Sequence, residues 1–218
     1  SVQFSRGCPF DCEFCDIIVM NGRVPRTKSP AQLIAELEAL RLRGWKEMVF
    51  VVDDNFIGDK RRTRLLLREL VEWRKRTRAE MGFLTEASVN LADDAELCAL
   101  MVEAGFTKVF VGIETPSAES IEECRKLQNR RDLVEAVRTL QQRGLEVMGG
   151  FIVGFDSDKT DIFKRQFEFI QRSGVVTAMV GLLAALPQTR LFKRLKTEGR
   201  LETETSGNNT DGALNFKP

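Results

Sequence analysis

Cys8, Cys12 and Cys15 lie in the stretch Cys8-Pro9-Phe10-Asp11-Cys12-Glu13-Phe14-Cys15, a C-x3-C-x2-C spacing that brings three thiolates within reach of one metal centre. A structural zinc site is closed by four ligands, and most iron–sulfur clusters are held by four cysteines. Three clustered thiols therefore describe a centre with one position left for a ligand that is not protein. A zinc module that completes its shell with Asp11, Asp16 or a distant cysteine is the rival reading. Two of the five cysteines, Cys98 and Cys124, fall at helical spacing among apolar residues and read as small core side chains. With no histidine and no tyrosine in the chain, histidine triads and histidine metal sites are excluded, and acid–base work falls to carboxylates, lysine, cysteine or a cofactor.

The remaining candidates sit where apolar runs end. Met48–Val52 runs into Asp53 and Asp54, and Met81–Thr85 into Glu86 with Ser88 close behind. Lys108–Ile113 delivers Glu114, and Val147–Gly154 carries Gly150, Ile152 and Gly154, where glycines within a strand mark close backbone approach. Continuous apolar runs of this kind suit strands buried on both faces of a parallel sheet. Helical patterns separate them at about 30–43, 60–78, from 93, 132–143 and 160–172, the last expected to bury Phe163, Phe167 and Ile170. Counting a first strand before the cysteines and a sixth over 175–183, strand and helix alternate through the chain. A full barrel needs eight such units, so the six here imply an α/β fold of parallel strands, either an open doubly wound sheet or a partial barrel, (β/α)6. Ligands collect at the carboxyl ends of such strands, so the cysteines and the carboxylates are expected at one mouth.

The 218 residues carry 33 Lys+Arg against 32 Asp+Glu, and this balance gives no electrostatic footprint for nucleic acid. No apolar run approaches a membrane span. Clustered cysteines suit metal chemistry in a reducing compartment, and the expected location is cytoplasmic. The chain reads as a domain of a longer protein, with a core over 1–202 and a loop over 203–218 leading into a further C-terminal region.

The cysteine motif, with Phe14 at the aromatic position before the third cysteine and its placement after a first strand, resembles the signature of the radical S-adenosylmethionine (SAM) superfamily. Asp53-Asp54-Asn55-Phe56 and Gly112-Ile113-Glu114 resemble the branch with an upstream cobalamin-binding domain. The segments Gly22–Lys28 and Thr210–Phe216 resemble the subgroup that contains hopanoid C-2 methylases. The resemblance implies a [4Fe-4S] cluster on Cys8, Cys12 and Cys15 and SAM on its open iron. It implies reductive cleavage of SAM to a 5′-deoxyadenosyl radical, for cobalamin-dependent C-methylation of an unactivated carbon or for a cobalamin-linked cyclisation or rearrangement. Asp53 and Asp54 would meet the SAM amino group, Glu86 and Ser88 its ribose or methionine part, and Glu114 its ribose hydroxyls. Phe14, Gly150, Ile152, Gly154 and the Leu183–Leu186 backbone would flank the adenine, and Arg26 or Lys28 would pair with the SAM carboxylate. Ser157 stands where the family usually has a glutamate. Cobalamin in the full-length protein, an organic substrate and a flavodoxin or ferredoxin as reductant complete the implied partners.

Overall fold

The protein is described here by a computed structural model that covers residues 1–203, 205 and 212–217. Its frame is a parallel sheet of five strands in the order β3 (Val49–Val51), β4 (Phe83–Glu86), β5 (Phe106–Glu114), β6 (Glu146–Val153) and β7 (Thr177–Leu182). The connections are helices: α3 (Lys60–Thr77), α4 (Ala95–Glu103) after a 3-10 turn at Val89–Asp93, α5 (Ala118–Glu123), α6 (Leu133–Gln142) and α7 (Ile162–Ser173). Consecutive strands are neighbours throughout, so every strand end bearing a candidate residue opens on the same side. None of the helices among the described residues is long and apolar enough to cross a membrane.

The expected first strand is reduced to a single parallel bridge of Val2 to Val51, closed by Val2 N–H to Phe50 O at 2.9 Å and Val52 N–H to Val2 O at 2.8 Å. The chain then turns away into β1 (Ser5–Arg6), which pairs antiparallel with β2 (Arg26–Thr27). Between them lie the cysteines and a short helix, α1 (Ile17–Met20), so this segment is a pinned excursion from the sheet.

Local chemistry sets the helix starts. Ser29 and Gln32 form a reciprocal capping box and Pro30 takes the first position of α2 (Pro30–Leu42). Asp59, Asp94 and Asp132 accept from the backbone N–H three residues on, at the starts of α3, α4 and α6. The core between sheet and helices is aromatic at its centre. Phe56 and Phe106 lie 5.0 Å apart, centroid to centroid, and Phe83 and Phe106 5.3 Å.

One expectation is corrected on the last unit. Phe163 and Phe167 are exposed, at 68% and 63%, and α7 buries Ile162, Gln166, Phe169 and Ser173 instead. The inward stripe runs one residue off the aromatic pair because Gln166 turns in, its Nε2 donating to Ile152 O at 2.8 Å. Strand β7 is an open edge of the sheet, with Val176, Met179 and Val180 exposed around it. The predicted loop over 203–218 falls partly on residues 204, 206–211 and 218, outside the described residues, as do Thr210 and Asp211. Its described part is anchored. Leu201 bridges Phe216, and the Asn215 amide accepts from Ala185 N–H at 2.9 Å and donates to Ala185 O at 3.1 Å.

Candidate active site

The cysteine loop is held over the strand ends from several directions. Asp54 accepts from Gly7 N–H at 3.0 Å, Glu13 N–H donates to Cys124 O at 2.9 Å, and Leu191 N–H donates to Glu13 O at 3.0 Å. Gly7 permits the entry, since its φ of +99° favours glycine and an added Cβ would sit 3.0 Å from Gly22 O. Arg194, in α8 (Arg190–Thr197), adds an ion pair to Glu13 at 2.8 Å.

Beneath the loop lies a cavity of about 200 Å³ lined by Cys8, Cys12 and Cys15 together with Asp54, Asn55, Glu86, Ser88, Glu114, Lys126 and Gln128. A second cavity of about 280 Å³ shares Phe14, Phe110, Gly112 and Glu114 with the first. It continues over Gly150, Ile152 and the β7 end to Leu183, Ala184 and Leu186. The site is thus two-ended, with thiols and carboxylates at one end and bare backbone with apolar walls at the other. A roomier groove of about 640 Å³ between α2 and α3 lies on the outer helix faces and holds no thiol.

Of the sequence-predicted residues, Cys8, Cys12, Phe14, Cys15, Asp54, Glu86, Ser88 and Glu114 are brought together in the first cavity, and Gly150 and Ile152 in the second. Asp53 is not brought there. It is 1% exposed, and its carboxylate accepts from Phe4 N–H at 2.7 Å, Ser5 N–H at 2.8 Å and Ser5 Oγ–H at 2.6 Å. Successive residues leaving a strand point to opposite sides, which separates Asp53 from Asp54. Gly154 lies off both cavities, its N–H donating to Asp158 Oδ2 at 2.9 Å. Arg26 donates to Asn21 O and Lys28 pairs with Glu36, so neither basic residue lines the site. Ser157 donates its N–H to Glu123 at 2.8 Å.

Sequence reading missed Asn55, Phe110, Gly112, Lys126 and Gln128. Phe110 and Gly112 belong to the strand that delivers Glu114, and period-two alternation from Glu114 points to both. Lys126 and Gln128 sit in a connection whose course only the fold decides. Glu114 itself takes a left-handed φ of 64°, rare for a residue with a side chain, where β5 shifts register against β6. That turn aims its carboxylate at Lys126, whose side chain is 12% exposed against 9% for Glu114. A Cβ at Gly112 would collide with this pair, and one at Gly150 would lie 2.7 Å from the Phe110 ring.

The electrostatics keep these thiols protonated until a metal displaces the protons. Burial raises the Cys12 thiol above its ordinary value against the opposing pull of Lys126, and pushes Cys15 up to about 12. Burial, with Asp54 and Asp53 adding repulsion, raises the Glu86 carboxyl. Desolvation alone would lower the Lys126 ammonium, but the Glu114 carboxylate overrides it and holds the group above the usual lysine value. A metal centre converts such thiols to thiolates by releasing protons. No three thiols and carboxylates among the described residues converge closely enough for a single ion. A cluster takes each cysteine on a different iron, and three thiols lining one cavity fit it. Cys98 and Cys124 are buried, at 0% and 2%, as core side chains.

Comparison with known proteins gives the same picture. The radical SAM superfamily matches residues 2–170, and a domain of unknown function (DUF4070) matches residues 189–218. An uncharacterized methyltransferase of Synechocystis sp. is 52% identical over 220 residues, covering 100% of this chain and 41% of the relative. The hopanoid C-2 methylase of Rhodopseudomonas palustris is 43% identical over 202 residues, covering 92% of this chain and 38% of the relative. The chain thus spans about two-fifths of the length of these relatives. Among solved structures, the radical SAM methyltransferase TsrM of Kitasatospora setae, with cobalamin and a [4Fe-4S] cluster bound, superposes with a TM-score of 0.81 at 19% identity. That match covers 100% of this chain and 43% of TsrM, and supports the partial-barrel fold.

Proposed function

The chain belongs to the radical SAM superfamily, and from that premise we propose that Cys8, Cys12 and Cys15 hold a [4Fe-4S] cluster at the head of a SAM pocket. The observation that carries this reading is that the thiol-lined cavity adjoins the glycine-floored one, the two sharing Phe14, Phe110, Gly112 and Glu114 as walls. When bound, the cluster supplies the electron that cleaves SAM to a 5′-deoxyadenosyl radical. The chain's own residues orient and shield. Asp54 and Glu86, at the thiol end, are placed for the ammonium of the methionine part. Glu114, shared by both cavities, is placed for the ribose. Gly150 and Ile152 offer backbone to the adenine between Phe14 and the apolar β7 end. Enclosure by these walls keeps water from a reactive intermediate.

For the whole protein, the reaction is cobalamin-dependent C-methylation of an unactivated carbon, a reading supported by the methylase names of the relatives. Cobalamin, held in an upstream domain, supplies the methyl group. The protein works in the cytoplasm with an organic substrate and a flavodoxin or ferredoxin as reductant.

Anaerobic reconstitution tests the cluster reading and should yield about four irons and four sulfides per chain. The reduced protein should convert SAM to 5′-deoxyadenosine, and Cys12→Ala should abolish both. One zinc per chain without acid-labile sulfide overturns the reading.

A further inference from the structure

Two side-chain amides reach the sulfurs of the cysteine loop, and each is held by hydrogen bonds to neighbouring backbone. Asn55, just beyond β3 and 3% exposed, has its Nδ2 3.7 Å from Cys8 Sγ. Its orientation follows from its other end. Oδ1 lies 3.2 Å from Ser88 N–H, which can only donate, so the oxygen must face Ser88 and the N–H must face the sulfur. The Ser88 hydroxyl is in turn drawn 2.6 Å from Asn90 Oδ1, which holds the Ser88 turn in place. Gln128 Nε2 lies 3.8 Å from Cys12 Sγ. It rides on a 3-10 turn (Leu127–Asn129) that Asn129 pins to the end of β5 by donating to Gly112 O at 3.0 Å and Ile113 O at 2.9 Å.

We propose that Asn55 and Gln128 are positioning residues for the cluster, whose N–H groups donate to the Cys8 and Cys12 sulfurs and hold its reduction potential above the value the cysteines alone would give. This rests on the reading that these cysteines hold a cluster. The physical basis is charge. Reduction adds one electron to a centre already rich in thiolate and sulfide. Donors aimed at the sulfurs stabilise the more negative state, and hydrogen bonding to sulfur is among the levers that set iron–sulfur potentials. A cluster that must pass an electron to SAM also needs a reductant able to fill it. Raising the potential at two of three ligands makes that first filling easier and fixes the two sulfurs against rotation.

The test is an anaerobic redox titration of the reconstituted protein, followed by visible absorbance, with iron and sulfide content measured alongside. Asn55→Asp keeps the acceptor for Ser88 N–H but turns an oxygen towards Cys8, and its added charge lowers the midpoint by itself, so its shift counts only together with that of Gln128→Met. Gln128→Met keeps the length of the side chain and removes the donor to Cys12. Each variant should keep the iron content of the wild type and shift the midpoint to a more negative potential, and the double variant should shift it further. A purely structural role would lower iron content or stability without moving the midpoint of the clusters that form. Full clusters with wild-type midpoints in both variants overturn the proposal. Should Asn55→Asp assemble no cluster, Gln128→Met decides alone, by the same criterion. A wild-type chain that takes up no cluster overturns the underlying reading itself, an outcome distinct from an unmoved midpoint.

Discussion

In an Asp53→Ala variant, the backbone N–H groups of Phe4 and Ser5 lose the carboxylate that accepts from them at 2.7 and 2.8 Å. Both residues are buried, with Phe4 2% and Ser5 4% exposed, so water cannot replace the lost acceptor. The Ser5 hydroxyl can rotate to a new partner, whereas the two amides cannot. Each buried donor left without a partner costs about 1–3 kcal/mol, which sets the expected destabilisation at about 2–6 kcal/mol. That is a large part of the roughly 5–15 kcal/mol that stabilises a domain of this kind. Asp54→Ala is the natural comparison. Asp54 is only partly buried and accepts from Gly7 N–H at 3.0 Å, so its loss should cost about 1 kcal/mol. Urea unfolding of the cluster-free protein, followed by fluorescence of the buried Trp73, measures both. SAM binding to the reconstituted variants separates the roles. Asp53→Ala should lose stability, and Asp54→Ala should lose SAM affinity at near-wild-type stability. If Asp53→Ala unfolds at the wild-type urea concentration yet binds SAM weakly, the assignment of Asp53 to the framework is wrong.

Lys126→Met should destabilise the protein by about 3–5 kcal/mol, because it leaves the Glu114 carboxylate buried without its partner. The double variant Lys126→Met, Glu114→Gln should recover most of that loss in the same urea assay, and a double variant as unstable as the single one would refute the pairing. Asp156 is held down to about 2 by the Arg200 guanidinium that donates to it, with Arg194 adding to the pull, from an ordinary 3.8. Its folded-state pKa is depressed, so its contribution to stability is present above about pH 4 and is lost as pH falls towards 2. Asp156→Asn should flatten the stability profile in that window, as read by urea midpoints between pH 2 and 6.

How much of this was legible in the sequence depends on whether the signal was local. The cysteine spacing, the apolar strands and the carboxylates that follow them are contiguous patterns, and the structure collects Cys8, Cys12, Cys15, Glu86 and Glu114 as that pattern implied. The Asp53-Asp54 pair hides its division of labour, because two identical residues face opposite sides and composition cannot tell which is which. Gln166 in the core stripe of α7 inverts the usual reading of hydrophobicity. Phe163 and Phe167 mark the wrong face of the helix because its inner position is polar, satisfied by carbonyls of Ile152 and Glu114. Lys126 and Gln128 carry no local mark at all. They sit in a charged, irregular stretch, and their value comes from where β5 and α6 leave that stretch in space.

The grip of α8 on the cysteine loop has a consequence in time. Arg194 reaches Glu13 across 181 residues of chain, and Leu191 N–H closes on Glu13 O. During synthesis the thiols therefore leave the ribosome long before the helix that fixes their loop exists. Contacts of such long sequence separation form late, since the loop-closure entropy must first be met. Until then Cys8, Cys12 and Cys15 ride on a loop secured only by its earlier neighbours, open to solvent and to whatever delivers iron and sulfide. Closure by α8 then adds a clamp that the nascent loop lacks.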